Sequence, residues 1–323
     1  MEKQKTERVA AITVTYNRTR TLKRCLEALL SQSRPVDTII VVDNHSSEEE
    51  QAVLRELAAS DNRIRLLVLD DNRGGAGGFE AGMTEAKKLD PDWYWLMDDD
   101  AYPRENCLET LLKTGKTLPD AGGLCPLIYG VDLQKYQLFH HKHLSGLMMK
   151  NSPVVSCAEQ LQPVMEEDAN AFVGPLFPAS VVRELGIADG SLFIYGDDTE
   201  YTRRVSKKHK LYLIRDAVID HQDAPVLDAN MSPAGWWKEY YCNRNQYFMI
   251  REFHQNRLIR WLAYALFTAR LAAIMIKSKL KGYHKLRSQL IIKAMQDGLA
   301  DRRGKMIDPQ RYFSYLKEQQ IRR

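Results

Sequence analysis

Trp93-Tyr94-Trp95-Leu96-Met97-Asp98-Asp99-Asp100 is the stretch that decides the fold. Five large apolar residues in a row, rich in aromatics, mark a short buried strand. The strand runs directly into three carboxylates, which repel one another and need an offsetting charge. A divalent cation supplies it well, because hard carboxylate oxygens suit Mg2+ or Mn2+. Side chains two apart on a strand project to the same side. Asp98 and Asp100 are therefore expected to address one ion while Asp99 points elsewhere. The bland alternative is an acidic surface turn.

Upstream the same signal recurs. Residues 9–15 (VAAITVT), 38–42 (TIIVV) and 64–69 (IRLLVL) are short apolar runs, read as strands. Each is followed by a helical pattern: Leu22, Cys25, Leu26, Leu29 and Leu30; then Val53, Leu54, Leu57 and Ala58; then Phe79, Met83 and Ala86. Pro35 closes the first helix, and Ser47 with Glu50 three places on has the pattern of a capping box. The order β-α-β-α-β-α-β predicts an α/β fold: a mostly parallel sheet with helices on both faces. Ligands in such sheets bind beyond the carboxyl ends of the strands. Every such end here is polar or flexible: Asn17-Arg18, Asp43-Asn44, Asn72 to Gly78, and Asp98 to Asp100.

Further along, Pro and Gly break residues 101–220 into short strands and loops. From Trp236 the pattern turns helical, with periodic stretches at 236–253, 257–279 and 283–300. Pro225 and Ser232-Pro233 put a boundary near 225–235.

Composition narrows the function. With 323 residues and a formal net charge of only +4, the chain has no marked bias toward nucleic acid. The five cysteines, Cys25, Cys107, Cys125, Cys157 and Cys242, form no C-x-x-C pair, so a reduced, cytoplasmic compartment is expected. The N-terminal residues MEKQKTERVA lack the apolar core of a signal peptide. The most apolar stretch, Leu258 to Ile276, is interrupted by Arg260 and Arg270, which predicts a packed or interfacial helix rather than a span. Basic residues follow at Lys277, Lys279, Lys281, Lys285 and Arg287, and the chain ends Arg322-Arg323. Such a run meets an anionic surface or simply forms a solvated helix face.

Other features are ambiguous in isolation. The glycine-rich loop at 74–78 opens a helix whose N-terminus favours anions, but it matches no phosphate-loop fingerprint and reads equally as a flexible turn. Asp197, Asp198 and Glu200 stand where helix caps belong, and one carboxylate there could serve as a general base. His221 follows a strand-like run and reads as a metal ligand or an ordinary histidine. His140-His141-Lys142-His143 has metal-site composition, but an intervening lysine and no nearby carboxylate favour a loop.

The motifs Thr15-Tyr16-Asn17-Arg18, Val42-Asp43-Asn44, Asn72-Arg73-Gly74-Gly75-Ala76-Gly77-Gly78-Phe79, Asp98-Asp99-Asp100-Ala101 and Gly196-Asp197-Asp198-Thr199-Glu200-Tyr201 occur in one order along the chain. This combination resembles family 2 glycosyltransferases of the GT-A fold. The glycine string and Tyr240-Tyr241-Cys242-Asn243-Arg244-Asn245 resemble the branch of bacterial galactofuranosyltransferases and rhamnosyltransferases. The resemblance spans about residues 8 to 250.

It implies a GT-A catalytic domain over 1–230, with a nucleotide-binding half at about 8–100 and an acceptor half at about 101–230. A C-terminal helical region over 231–323 follows. Tyr16, Asn17 and Arg18 would line the nucleotide pocket; Asp43 would hydrogen-bond the base; Asn72 and Gly75 would lie along the nucleoside. Asp98, Asp99 and Asp100 would hold the diphosphate through Mn2+ or Mg2+, with His221 completing the metal shell. Asp198 would be the catalytic base of a single inverting displacement. Trp236 and Trp237 fall where acceptor-side aromatics are expected. The partners implied are a UDP- or dTDP-linked sugar donor and a lipid-linked glycan acceptor. A peripheral position on the inner face of the cytoplasmic membrane is expected, and a homo-oligomer is compatible with it. The rival readings are a nucleotidyltransferase on a related fold and a non-catalytic glycan- or nucleotide-binding subunit. The first would more often carry a glycine-rich loop after the first strand, where Tyr16-Asn17-Arg18 stands.

Overall fold

A computed structural model of the protein describes residues 7–222, 233–280 and 285–321. The expected boundary at 225–235 falls mostly outside the described residues, as do Lys281 and Arg322-Arg323. In chain order the first half comprises β1 (Val9–Thr15), α1 (Thr19–Leu30), β2 (Thr38–Asp43), α2 (Glu48–Ala59), β3 (Ile64–Val68), α3 (Gly74–Lys87) and β4 (Trp93–Asp98). There follow β5 (Ala101–Pro103), α4 (Cys107–Gly115), β6 (Ala121–Gly130), β7 (Lys135–Tyr136), β8 (Lys142–Ser145), β9 (Lys150–Pro153), β10 (Val164–Glu167) and β11 (Val173–Pro178). The rest is α5 (Ala179–Leu185), α6 (Asp197–Ser206), β12 (Lys210–His221), α7 (Trp236–Phe253), α8 (Arg257–Leu280), α9 (Lys285–Leu299) and α10 (Pro309–Ile321).

The described residues form two compact units. One takes 7–143, 152–190 and 198–222; the other takes 144–151, 191–197 and the described residues from 233 onward.

The first unit is built on one large sheet with strand order β10-β12-β6-β11-β4-β1-β2-β3. Strands β3, β2, β1 and β4 are parallel, whereas β11 runs antiparallel to both β4 and β6. The mixed part is where proline and glycine had broken the periodicity. Central strands are apolar throughout because both faces are covered. Along β1, Val9 and Ala11 enter one core cluster with Leu22, Cys25 and Leu29 of α1. Ala10 and Ile12 enter the cluster on the other face with Phe79 and Met83 of α3.

Two local expectations are corrected. The glycine string is not a loop: α3 begins at Gly74, and the glycines form its first turns. A Cβ on Gly78 would lie 2.4 Å from Val14 Cγ1, and one on Gly82 2.4 Å from Ile12 Cγ2. These glycines let the helix close on β1, whereas Gly75 has nothing within 4 Å of a Cβ position. The capping box is half formed. Glu50 N–H donates to Ser47 Oγ at 3.4 Å, but the Glu50 carboxylate accepts from Thr19 N–H at 3.0 Å. Ser47 N–H donates to Asn17 Oδ1 at 2.8 Å, so the N-termini of α1 and α2 cap each other.

The second unit is helical. Trp236 and Trp237, expected on the acceptor side, are buried in a cluster with Phe193, Tyr240, Tyr241 and Tyr312. Indole rings bury more apolar area than any other side chain, and here that decides their position. Tyr247, Ile250, Ala263, Phe267, Leu271 and Ile291 make a second cluster from α7, α8 and α9. The sequence pattern gave no warning of α10, which is short of apolar spacing.

Candidate active site

The three carboxylates divide at a turn. β4 ends at Asp98, and 99–100 form a turn before β5. Asp99 is turned into the protein: Thr15 Oγ1 donates to its Oδ2 at 2.7 Å, and Arg18 Nη1 lies 2.9 Å from its Oδ1. Burial pushes its carboxyl up to about 6, against the opposing pull of Arg18 and Thr15. Arg18 Nη2 also reaches Asp100 Oδ2 at 2.7 Å. One guanidinium thus bridges two members of the triplet. Burial acts on Asp100 too, but His221 and Arg18 outweigh it and hold its carboxyl below the usual range.

His221 arrives at the same place by strand pairing. The end of β12 runs antiparallel to β5, with His221 opposite Ala101 and Asp220 opposite Tyr102. His221 Nε2 stands 3.3 Å from Asp100 Oδ1. One potential ligand atom from each of Asp98, Asp100 and His221 lies within 4.8 Å of the others. Two carboxylates and one imidazole make a donor set that fits Mn2+ or Mg2+.

Sequence reasoning missed Gln137. Its side chain is buried, and its Oε1 lies 2.9 Å from His221 Nδ1 and 3.1 Å from His140 Nε2. An amide oxygen only accepts, so Gln137 accepts a hydrogen bond from His221 Nδ1 and orients the ring with Nε2 toward Asp100, where Nε2 would be the atom offered to a metal. The His140 ring sits edge-on to His221 at 5.6 Å, and burial holds its imidazole well below the usual range. A lone glutamine in an irregular segment offers no spacing signal.

The histidine cluster is not a plain loop. His141 Nδ1 lies 2.9 Å from Glu167 Oε2, both buried, and Asn170 Nδ2 is 2.8 Å from Glu167 Oε1. The carboxylate that seemed lacking comes from 26 residues along the chain. Next to it, Lys142 Nζ donates to Thr199 Oγ1 at 2.9 Å and stands 3.7 Å from Asp198 Oδ2. Asp198 is the second residue of α6 and a quarter exposed, and its Oδ1 accepts from the Thr199 N–H. Glu200, by contrast, is engaged in a two-bond pair with Arg204, at 2.8 and 2.9 Å.

The remaining residues cluster at the ends of β1, β2 and β3. Asp43 is fully buried; its Oδ1 accepts from Ser46 N–H at 3.0 Å, and its Oδ2 has no hydrogen-bond partner among the described residues. An orphaned buried carboxylate oxygen has room for one more donor. Asn17 adopts φ 53° beside Tyr16 and Arg18. Asn72 Oδ1 accepts from Gly74 N–H at 2.9 Å, and Asn44 spans to Gly74 O at 3.0 Å and Arg73 N at 2.9 Å. These bonds fix the turn that presents Gly75.

In the helical unit, Tyr240 to Asn245 have a definite job. Asn245 Nδ2 lies within 3.1 Å of the carbonyl oxygens of Leu192, Ile194 and Tyr195, and Arg244, fully buried, donates to Leu192 O and Gly304 O. They clamp the segment that runs into α6, where Phe193, Tyr195 and Gly196 all take positive φ.

This fold has relatives. Residues 10–172 match the family described as Glycosyl transferase family 2. The chain is 30% identical over 276 residues to galactofuranosyltransferase GlfT1 of Mycobacterium tuberculosis, covering 81% of this chain and 89% of the relative. Among solved structures, S. aureus TarS 1–349 in complex with UDP superposes with a TM-score of 0.58 at 14% identity, over 90% of this chain and 80% of that one. GalNAc-T7 with UDP, GalNAc and Mn2+ superposes with a TM-score of 0.57 at 15% identity. There the match covers 75% of this chain but only 51% of GalNAc-T7, about half its length. The fold is GT-A, and the chain belongs to glycosyltransferase family 2. It is similar to the galactofuranosyltransferase branch.

The Gln137 geometry makes a prediction. If Asp98, Asp100 and His221 hold Mn2+, Gln137→Leu should keep the fold but weaken its binding by about 10- to 100-fold, the usual scale for losing a residue that orients a metal-ligating histidine. Mn2+ titration followed by electron paramagnetic resonance measures it; unchanged affinity would show that His221 needs no such support.

Proposed function

We propose that this glycosyltransferase is an inverting, divalent-metal-dependent enzyme that transfers galactofuranose from UDP-galactofuranose. Rhamnose from dTDP-rhamnose is the next candidate. The acceptor in this reading is a lipid-linked or polysaccharide glycan of the cell surface. The observation that carries it is the approach of Asp98, Asp100 and His221 to within 4.8 Å at the carboxyl edge of a GT-A sheet. Similarity to GlfT1 supports galactofuranose as the sugar. Residues 1–230 serve as the catalytic domain and 231–323 as a helical region.

In this reading Asp98, Asp100 and His221 would hold Mn2+ or Mg2+, which offsets the negative charge of the donor diphosphate. Asp99 and Arg18 brace that group from inside, through the ion pair at 2.9 Å. Tyr16, Asn17, Asp43, Asn72 and Gly75 receive the nucleoside, with the orphaned Asp43 Oδ2 accepting from the base. Asp198 accepts the proton of the acceptor hydroxyl as that oxygen bonds to the anomeric carbon. The bond from that carbon to the diphosphate breaks on the opposite side, and the configuration inverts. Lys142 and Thr199 hold the Asp198 carboxylate in place.

Donor consumption tests this. With Mn2+ and a glycan acceptor, the purified protein should consume UDP-galactofuranose in preference to dTDP-rhamnose. Asp198→Asn should lower turnover by at least about a hundredfold, the scale of a lost general base, with UDP affinity and melting temperature little changed. Retained turnover with lowered stability would make Asp198 only a helix cap. Intact UDP binding without turnover in the wild type would favour a non-catalytic subunit.

We further propose a cytoplasmic location, peripheral on the inner membrane face, through α8. Residues 253–296 contain no Asp or Glu but nine Lys and Arg. Among the described residues one helix, Arg257–Ser278, is long and apolar enough to cross a membrane. One side of it is buried with Tyr247 and Ile291, while the other exposes Leu258 (79%), Trp261 (64%), Leu262 (51%) and Ile276 (62%). Arg260 and Arg270 oppose a transmembrane position, and an apolar stripe with a basic rim suits the interface. The protein should cosediment with phosphatidylglycerol vesicles, less so at high salt, and the Trp261→Glu/Leu262→Glu variant should stay in the supernatant. Self-association without lipid, lost in that variant, would instead assign the stripe to a second copy of the chain.

A further inference from the structure

We propose that a cavity beside the acidic triplet is a separate subsite for a diphosphate group. The cavity has a volume of about 470 Å3 and is lined by Arg20, Thr21, Arg24, Tyr102 and Gln222. Arg20 and Arg24 stand one helical turn apart on α1, so their side chains share a face and repel each other. Neither makes an ion pair among the described residues, whereas Arg18, just before the helix, is occupied by Asp99 and Asp100. The Arg24 guanidinium lies 4.1 Å over the ring of Tyr102, which keeps its charge at the cavity wall.

Tyr102 supplies an independent observation. Its side chain is 95% buried, its relative exposure being 5%, and its hydroxyl has no hydrogen-bond partner among the described residues. A buried hydroxyl left unpaired is costly, and a ligand oxygen reaching this wall would pair it. Thr21 and Gln222 add a hydroxyl and a carboxamide, and among the described residues no carboxylate lines the cavity. The described lining thus offers two cations and three groups able to donate. Guanidinium forks match phosphoryl oxygens in geometry and charge.

The position ties the cavity to the reaction. Tyr102 lies two residues beyond Asp100, and Gln222 N–H donates to Asp100 O at 3.3 Å. The cavity therefore adjoins the edge where the donor diphosphate would be held. A diphosphate has two sources there: the nucleotide-sugar, or the group joining an acceptor glycan to its lipid. Choosing between these sources rests on the glycosyltransferase reading above; anion binding itself does not.

Calorimetry with inorganic pyrophosphate, on the full chain in EDTA at low salt, tests the subsite with the metal-dependent site silent. The wild type should bind pyrophosphate, more weakly as NaCl is added. Arg20→Ala/Arg24→Ala should lose at least about tenfold in affinity, and Tyr102→Phe about tenfold, the scale of a hydrogen bond to a charged group. Melting temperatures should hold, since both arginines are exposed. Absent binding, or equal binding by the double variant, overturns the proposal. UDP affinity with Mn2+ then identifies the source. A fall in the double variant assigns the cavity to the donor; unchanged UDP affinity with a raised KM for a lipid-diphosphate acceptor assigns it to the acceptor. Pyrophosphate binding with no donor consumption would leave the subsite standing and refute the catalytic reading.

Discussion

Three adjacent carboxylates at the end of a buried strand are the constraint around which the first unit is arranged. Left together in a low-dielectric setting they would repel by several kcal/mol in total, taking an effective dielectric near 20. The chain disperses them. Asp99 turns inward to Thr15 and Arg18, while Asp98 and Asp100 turn outward to the end of β12. Arg18 touches two of the three, and its place just before α1 depends on Asn17 at φ 53° and on the shared capping of α1 and α2. The antiparallel pairing of β5 with β12 then sets His221 against Asp100. Gln137 decides which imidazole nitrogen faces outward.

That arrangement explains why the family resemblance is concentrated at strand ends. The parallel half was legible in the sequence because β1, β2 and β4 are buried on both faces, and an apolar run bounded by polar residues has few other readings. The helices α1 and α7 were legible for the same reason, through their spacing. The split of the triplet was foreseen, but for a strand-alternation reason that does not apply, because 99–100 form a turn. Turn geometry is set by what the side chains find, here Thr15 and Arg18, and those partners are 82 to 84 residues distant.

What the sequence hid was long-range. Glu167 comes from β10 to pair with His141, and Gln137 meets His221 across 84 residues. No local period records such contacts. The glycine string hid its meaning differently. Glycine reads as a loop by propensity, yet Gly78 and Gly82 sit in a helix because Val14 and Ile12 leave no room for a side chain. Tertiary packing overrode local preference. Trp236 and Trp237 went astray because aromatics serve cores and carbohydrate surfaces alike; burial among Tyr240, Tyr241 and Tyr312 separates the two uses. In that same unit Arg244 and Asn245 bond the backbone that leads to α6, so a motif far from the triplet in sequence has a structural task.

The central claim is that the divided triplet and His221 hold a donor nucleotide through a divalent ion. Calorimetric titration of UDP into the wild type and into Asp100→Ala, each with and without Mn2+, tests it most directly. The account predicts that Mn2+ strengthens UDP binding to the wild type by more than about tenfold and has little effect on the variant. Equal Mn2+ dependence in both proteins, or UDP binding to the wild type that ignores Mn2+, would contradict it.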